Sequence, residues 1–248
     1  MSPISIGLWT MLRFSARKLL QNRRWIIVVL LTVLVAAVMG YSATQDGADI
    51  DGMSNLMDFL LIAFLLPVLA LIYGASMIRN EIDDRSIVQV ITSPLDRRIA
   101  YLGYYFALVI VLTVLLTLAT IVGGLSYLAF SPDGSGGIEV MLVFIAVQFI
   151  GVLIYSALFL VMGAKLKQPI YLGLFYIFIW EGFLGSAPGA IGSYTIRHQL
   201  RVIASEFINY GDIAHVIGDG TTSLITLIVL AIVLTSLGAF LFRELEVA

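Results

Sequence analysis

Apolar residues in this chain gather into long runs separated by short polar breaks. At ~1.5 Å of helical rise per residue, about 20 apolar residues cross a hydrocarbon layer roughly 30 Å thick. Six runs meet that condition and are predicted as spans: 25–44, 59–78, 101–130, 139–164, 170–190 and 222–242. Pro67 falls inside the second and is expected to kink it, because proline removes a backbone donor. The third run exceeds what the layer needs, so it is expected to tilt or project. The pattern predicts an all-α, polytopic membrane protein made of one transmembrane domain, residues 1–248.

The breaks carry their own signals. Residues 8–21 place Leu8, Trp9, Leu12, Ala16, Leu19 and Leu20 on one helical face and Arg13, Arg17 and Lys18 elsewhere. This predicts a helix lying in the headgroup layer; the plainer alternative is a basic start that only flanks the first span. A cleaved leader fits less well, because the first apolar run is longer than a signal core of about 7–15 residues. Residues 45–58 read as a polar loop with four aspartates and no basic residue. Ser131 to Gly137 read as a turn, and Lys165, Lys167 and Pro169 mark a short return loop. The fifth run breaks up among Gly182, Gly185, Pro188, Gly189 and Gly192, which predicts a non-helical turn between Gly185 and Gly192. A surface helix is expected at 194–209, with Ile196, Leu200, Ile203 and Phe207 facing the membrane. Its wet side would hold Arg197, His198, Arg201 and Glu206.

Composition agrees with the pattern: 60% of the 248 residues are hydrophobic and 12% charged, against roughly 45–50% and about 25% in soluble domains. The chain has no cysteine, which excludes disulfides and thiolate metal sites, and its two histidines are too few for a histidine cluster. With the N-terminus inside and six alternating spans, only Arg197 and Arg201 of the 14 basic residues fall outside. Such a bias sets both termini and residues 79–98 on the cytoplasmic side of the cell membrane.

That 79–98 stretch, RNEIDDRSIVQVITSPLDRR, holds eight charges between two apolar runs. Ile82, Ile87, Val88, Val90 and Ile91 give a short helix apolar sides. Asp83 and Asp84 suit its N-terminus, and Pro94 stops it. An apolar face with a charged rim, joined stiffly to two membrane helices, suits docking into a partner's groove and passing on its motion. A charged loop that merely anchors the span ends is the alternative reading of the same residues.

Within the membrane, Glu181 lies roughly 16 Å along the fifth run. A charge at that depth costs on the order of 2.5–3.5 kcal/mol, so it faces a cavity, a partner or another helix. It is a candidate gate or pathway residue, or a structural cap on the break; Gly182, Pro188 and Gln148 are the other pathway candidates. Gln148, Thr113, Thr117 and Thr120 are expected to bond across helices. The chain has no Gly-Lys pair, hence no phosphate loop, no His-Glu-x-x-His motif, and no base beside Ser186. A stand-alone ion-coupled carrier or channel using Glu181 remains the competing class.

The loop resembles that between spans two and three of ABC-2 type transporter permeases: Glu81, Ser86, Pro94 and Arg97 match its Glu, Thr, Pro and Arg, while Arg85 stands where Gly is usual and Asp96 where Ser is usual. Trp180-Glu181-Gly182 with Pro188 and Ile196-Arg197-His198 is similar to one branch of the same permeases. The resemblance implies the membrane subunit of an ATP-driven exporter. It implies that Glu81, Asp83, Asp84, Arg85, Ser86, Ile87, Val88, Val90, Ile91, Pro94 and Arg97 form the coupling element. That element would engage two copies of a separate ATPase, which bind ATP and magnesium, while a second permease copy completes the pathway. No cofactor is expected in the chain itself, and no nucleic acid as a partner.

Overall fold

The structure, a computed structural model, describes residues 12–17, 25–45, 48–83, 96–131, 136–186 and 192–244. Among them every regular element is helical. Among the described residues, five helices are long and apolar enough to cross a membrane. Four of these are α1 (Trp25–Ala43), α2 (Ile50–Ile82), α3 (Arg97–Phe130) and α4 (Gly137–Lys165). A shorter apolar helix, α5 (Pro169–Phe183), and α6 (Ile196–Ser205) follow. The fifth long helix is α7 (Gly220–Arg243). The protein is a multi-pass membrane protein.

Helical residues 12–17 turn Leu12 and Ala16 toward the core and leave Arg13 and Arg17 exposed, the division of faces that their spacing predicts. The remainder of 8–21 lies outside the described residues.

The predicted loop 45–58 is corrected by the structure: α2 starts at Ile50. Asp49 caps it, its side chain accepting the Gly52 N–H at 2.8 Å, and Asp51 adds an acidic first turn. Aspartates that look like loop composition are here the start signal of a helix. Pro67 neither breaks nor ends α2. It opens an α-helical turn, Leu66–Ala70, between two π-helical segments, Asp58–Leu65 and Leu71–Ala75. The wider i→i+5 turns absorb a residue that cannot donate to the ladder.

α3 and α4 pack antiparallel at the centre. α1 lies on α3, α2 lies on α4, and α7 touches both. Close approach needs small residues: a Cβ at Gly163 of α4 would stand 2.5 Å from the Ala75 carbonyl oxygen of α2. The return between α4 and α5 spans only Leu166 to Gln168.

α5 has seven α-helical and eight π-helical residues. At ~1.5 Å per residue it reaches no more than roughly 22 Å, so the predicted span 170–190 ends early as a helix. A 3₁₀ turn, Leu184–Ser186, follows it, and another, Gly192–Tyr194, precedes α6. The predicted turn between them, including Pro188, lies largely outside the described residues.

α6 is where expectation and structure differ most. Ile196, Leu200 and Ile203 are buried against protein, and only Phe207 is exposed. The side chain of Leu200 comes to the position a Cβ on Gly151 would take, halfway along α4. The helix therefore sits inside one end of the bundle instead of lying on it. Its apolar face packs against α2, α4 and α7. The segment after it closes the same end. Ser54 Oγ donates to the Tyr210 carbonyl (3.3 Å), and the N–H groups of Gly211 and Asp212 donate to Asp51 (2.8 Å) and Asn55 (2.7 Å). Gly211 has φ +65°, a left-handed conformation that suits glycine at this reversal.

Candidate functional site

The 79–98 loop is framed by two helix ends. On the leading side, Glu81 is only 3% exposed and its carboxylate accepts the hydroxyl proton of Tyr104 from α3. It therefore turns into the bundle instead of outward toward a partner. On the trailing side, Asp96 caps α3 by accepting the Arg98 N–H at 2.9 Å. The Arg97 guanidinium donates to the Arg243 carbonyl at 3.0 Å, satisfying an orphan acceptor at the end of α7. Asp83 closes the helical segment Ser76–Asp83 in which α2 ends. Asp84, Arg85, Ser86, Ile87, Val88, Val90, Ile91 and Pro94 lie outside the described residues.

At the opposite end, Glu181 is 2% exposed at the close of α5. Its carboxylate accepts the Tyr176 hydroxyl (2.7 Å) and the backbone N–H groups of Ile196 (3.2 Å) and Arg197 (3.0 Å). Thr195 caps the same helix by accepting the His198 N–H at 3.2 Å. The first three N–H groups of α6 are thus all satisfied, as a buried helix start requires. The negative charge also faces the positive end of the helix dipole. Of the two readings the sequence leaves open for Glu181, this geometry is that of a cap on the break.

Asp58 and the two arginines of α6 form a second tie. Asp58 Oδ2 lies 3.1 Å from Arg197 Nη2 and 3.3 Å from Arg201 Nε, with the Asp58 side chain nearly buried. Arg197 and Arg201 are one turn apart, so one carboxylate in α2 reaches both. These are the two basic residues that break the charge asymmetry along the chain. They are neutralised inside the fold instead of forming a wet face, which corrects that expectation. His198 is partly buried between them; burial and then the Arg201 charge hold it below its ordinary value.

Gln148 pairs with Thr120 across the α3–α4 seam, the hydroxyl 2.8 Å from Oε1. The same hydroxyl lies 2.9 Å from the Leu116 carbonyl. It has one proton, so both contacts are satisfied when the amide turns to donate to Thr120. Gly182 is exposed beside Glu181. The structure therefore separates the candidates: Glu181 and Gly182 sit at one end, Gln148 in the mid-bundle seam, and Glu81 and Arg97 at the other end.

Sequence reasoning missed Asp58, Tyr104, Tyr176 and Thr195. Asp58 carried a usable signal, an aspartate at the edge of an apolar run facing an i, i+4 arginine pair. The tyrosines carried none, because a buried tyrosine reads like any other aromatic core residue.

A helical bundle that crosses a membrane, with its buried charges tied internally and a charged stretch framed by two braced helix ends, is the architecture of a multi-pass membrane protein. The sequence matches the ABC-2 family transporter protein family over residues 16–180, and the chain belongs to that family. Permeases of this family are the membrane components of ABC transporters and work with ABC ATPase partners; they are not themselves ATPases. No curated protein matches the chain.

Proposed function

We propose that this chain is the transmembrane subunit of an ATP-driven exporter of the cell membrane, with both termini and residues 79–98 on the cytoplasmic side. A second copy completes the pathway, and two ATPase subunits, which bind ATP and magnesium, dock on the loop. The observation that carries this reading is the family match, which runs through the whole of that loop. The crowding of lysine and arginine toward one set of loops supports the orientation. In this reading α5 is a sixth span, shortened so that α6 packs at the outer end of the bundle.

Glu81 and Arg97 act here as braces for the loop, while Ile87, Val88, Val90 and Ile91 supply the face that meets the ATPase. The carrier alternative needs Glu181 open to an ion. Both carboxylate oxygens already accept hydrogen bonds from Tyr176 and α6, so the exporter reading is preferred.

The test is recovery of the complex. Replacing Val88 and Ile91 together by Asp is expected to release a co-purifying ATPase while the permease still inserts. Full recovery of the complex would contradict docking at this loop.

A further inference from the structure

α7 packs one face along α4 and α3, turns the other outward, and is tied to its neighbours at both ends. Along its most apolar stretch only 11% of residues are buried. A half-open apolar cavity of about 190 Å³ lies beside its middle. That cavity is bounded by Tyr105 of α3, Ile150 and Leu153 of α4, and Leu227, Ile228 and Ala231 of α7.

The lower end is packed tightly. Arg97, Tyr101 and Tyr104 lie at i, i+4 and i+7 and so share one face of α3. Opposite them stand Gly238, Phe242 and the Arg243 carbonyl. The rings of Tyr101 and Tyr104 sit 5.9 and 6.1 Å from that of Phe242. A Cβ at residue 238 would overlap the Tyr101 hydroxyl, so glycine is needed for this approach. Tyr104 also donates to Glu81 of α2, and Arg97 donates to the Arg243 carbonyl. Both flanks of the loop therefore converge on the last turn of α7.

The upper end is tied to α6. Asp219 caps α7 through the Thr222 side chain and the N–H groups of Thr222 and Thr221, contacts that hold its carboxyl below the usual range. The Gly220 N–H donates to Glu206, the residue that ends α6, at 3.0 Å. α6 is in turn anchored at its start by Glu181.

We infer that α7 is a connecting rod that carries movement of the loop flanks to α6, with the Glu81–Tyr104–Phe242 chain of contacts as its lower bearing and Glu206 as its upper one. A stiff helix tied at both ends slides against its packed neighbours as a unit, the form of motion that switches packed helices. The inference rests on the exporter reading for the direction of the drive. It adds the residues through which the drive crosses the membrane.

The experiment uses the intact permease–ATPase complex. The chain has no native cysteine, so a spin label at Phe207→Cys, exposed just beyond α6, is unique to its position in the permease. Addition of ATP with vanadate is expected to change the label's mobility. Tyr104→Phe keeps the ring but loses the tie to Glu81, and should lose at least half of that change while the ATPase stays bound. A full ATP-induced change in Tyr104→Phe, or no change in the parent complex, overturns the rod.

A cycle of Glu81→Gln, Tyr104→Phe and both, melted without the ATPase, should be non-additive by about 2–4 °C. Additivity there overturns the bearing while leaving the exporter reading intact. Failure to recover any ATPase with the unaltered chain removes the exporter reading, and the drive with it, whatever the cycle shows.

Discussion

The Glu181 carboxylate accepts the backbone N–H of Arg197 at 3.0 Å across a gap of sixteen positions in the chain. The end of α5 is thereby joined to the start of α6, and the glycine-rich stretch between them need not set the angle itself. A buried N–H left without an acceptor costs about 1–3 kcal/mol. Glu181→Ala is expected to lower the melting temperature in detergent and raise protease cleavage near α6. Glu181→Gln keeps a carbonyl acceptor and should fall between Ala and the parent. Equal stability of all three would contradict the cap.

Asp58 serves two arginines, and removing it leaves two poorly solvated positive charges. Losing one member of a fully buried charge pair costs on the order of 3–5 kcal/mol, and the 24% exposure of each arginine side chain brings the cost here below that. Asp58→Asn should therefore be strongly destabilising, and adding Arg197→Gln and Arg201→Gln should restore most of the loss. Additive effects of the three changes in thermal melts would show that the carboxylate does not hold α6.

His198 gives the fold a pH dependence of known sign. Burial and Arg201 place its folded value below the ordinary 6.5. The unfolded chain then binds the proton more readily, so stability is greatest above the ordinary 6.5. It is lost as pH falls through about 6.5 and on toward the lower folded value. Melting temperatures between pH 8 and 5 should drop more steeply in the parent than in His198→Gln. Parallel curves would refute the assignment.

The Thr120–Gln148 pair makes a contrasting case. Paired polar groups replaced together by apolar ones of similar shape are close to neutral. Thr120→Val with Gln148→Leu should melt within a few degrees of the parent, whereas Gln148→Leu alone should cost about 1 kcal/mol. If the double variant retains the fold and ATPase but loses transport, Gln148 belongs to the pathway and the packing role is wrong.

The long helices are legible because a membrane demands long apolar runs, and their ends lie within four residues of the predicted bounds except at the start of α2, which comes nine residues early. Start signals inside polar stretches were harder to see. Asp49 and Asp51 looked like loop residues until Met53 and Met57 were found buried beneath them. The α6 region misled for a different reason. An amphipathic pattern states that one face is apolar, not whether lipid or protein covers it, and only the length of α5 decides. Glu181 could be singled out as a buried charge, but its partners are backbone N–H groups, which no side-chain pattern reveals. The inward turn of Glu81 was hidden likewise, since a tyrosine 23 residues later carries no mark of its bonding.

The central claim is that a bilayer-embedded body is driven from the cytoplasmic side through the 79–98 loop. The most direct test is sidedness of single introduced thiols in intact cells, using a membrane-impermeant maleimide. Gln89→Cys is expected to stay unlabelled until the membrane is permeabilised. Tyr194→Cys, exposed at the opposite end of the bundle, is expected to label at once. Labelling of Gln89→Cys in intact cells would put the loop on the outer face and contradict the account.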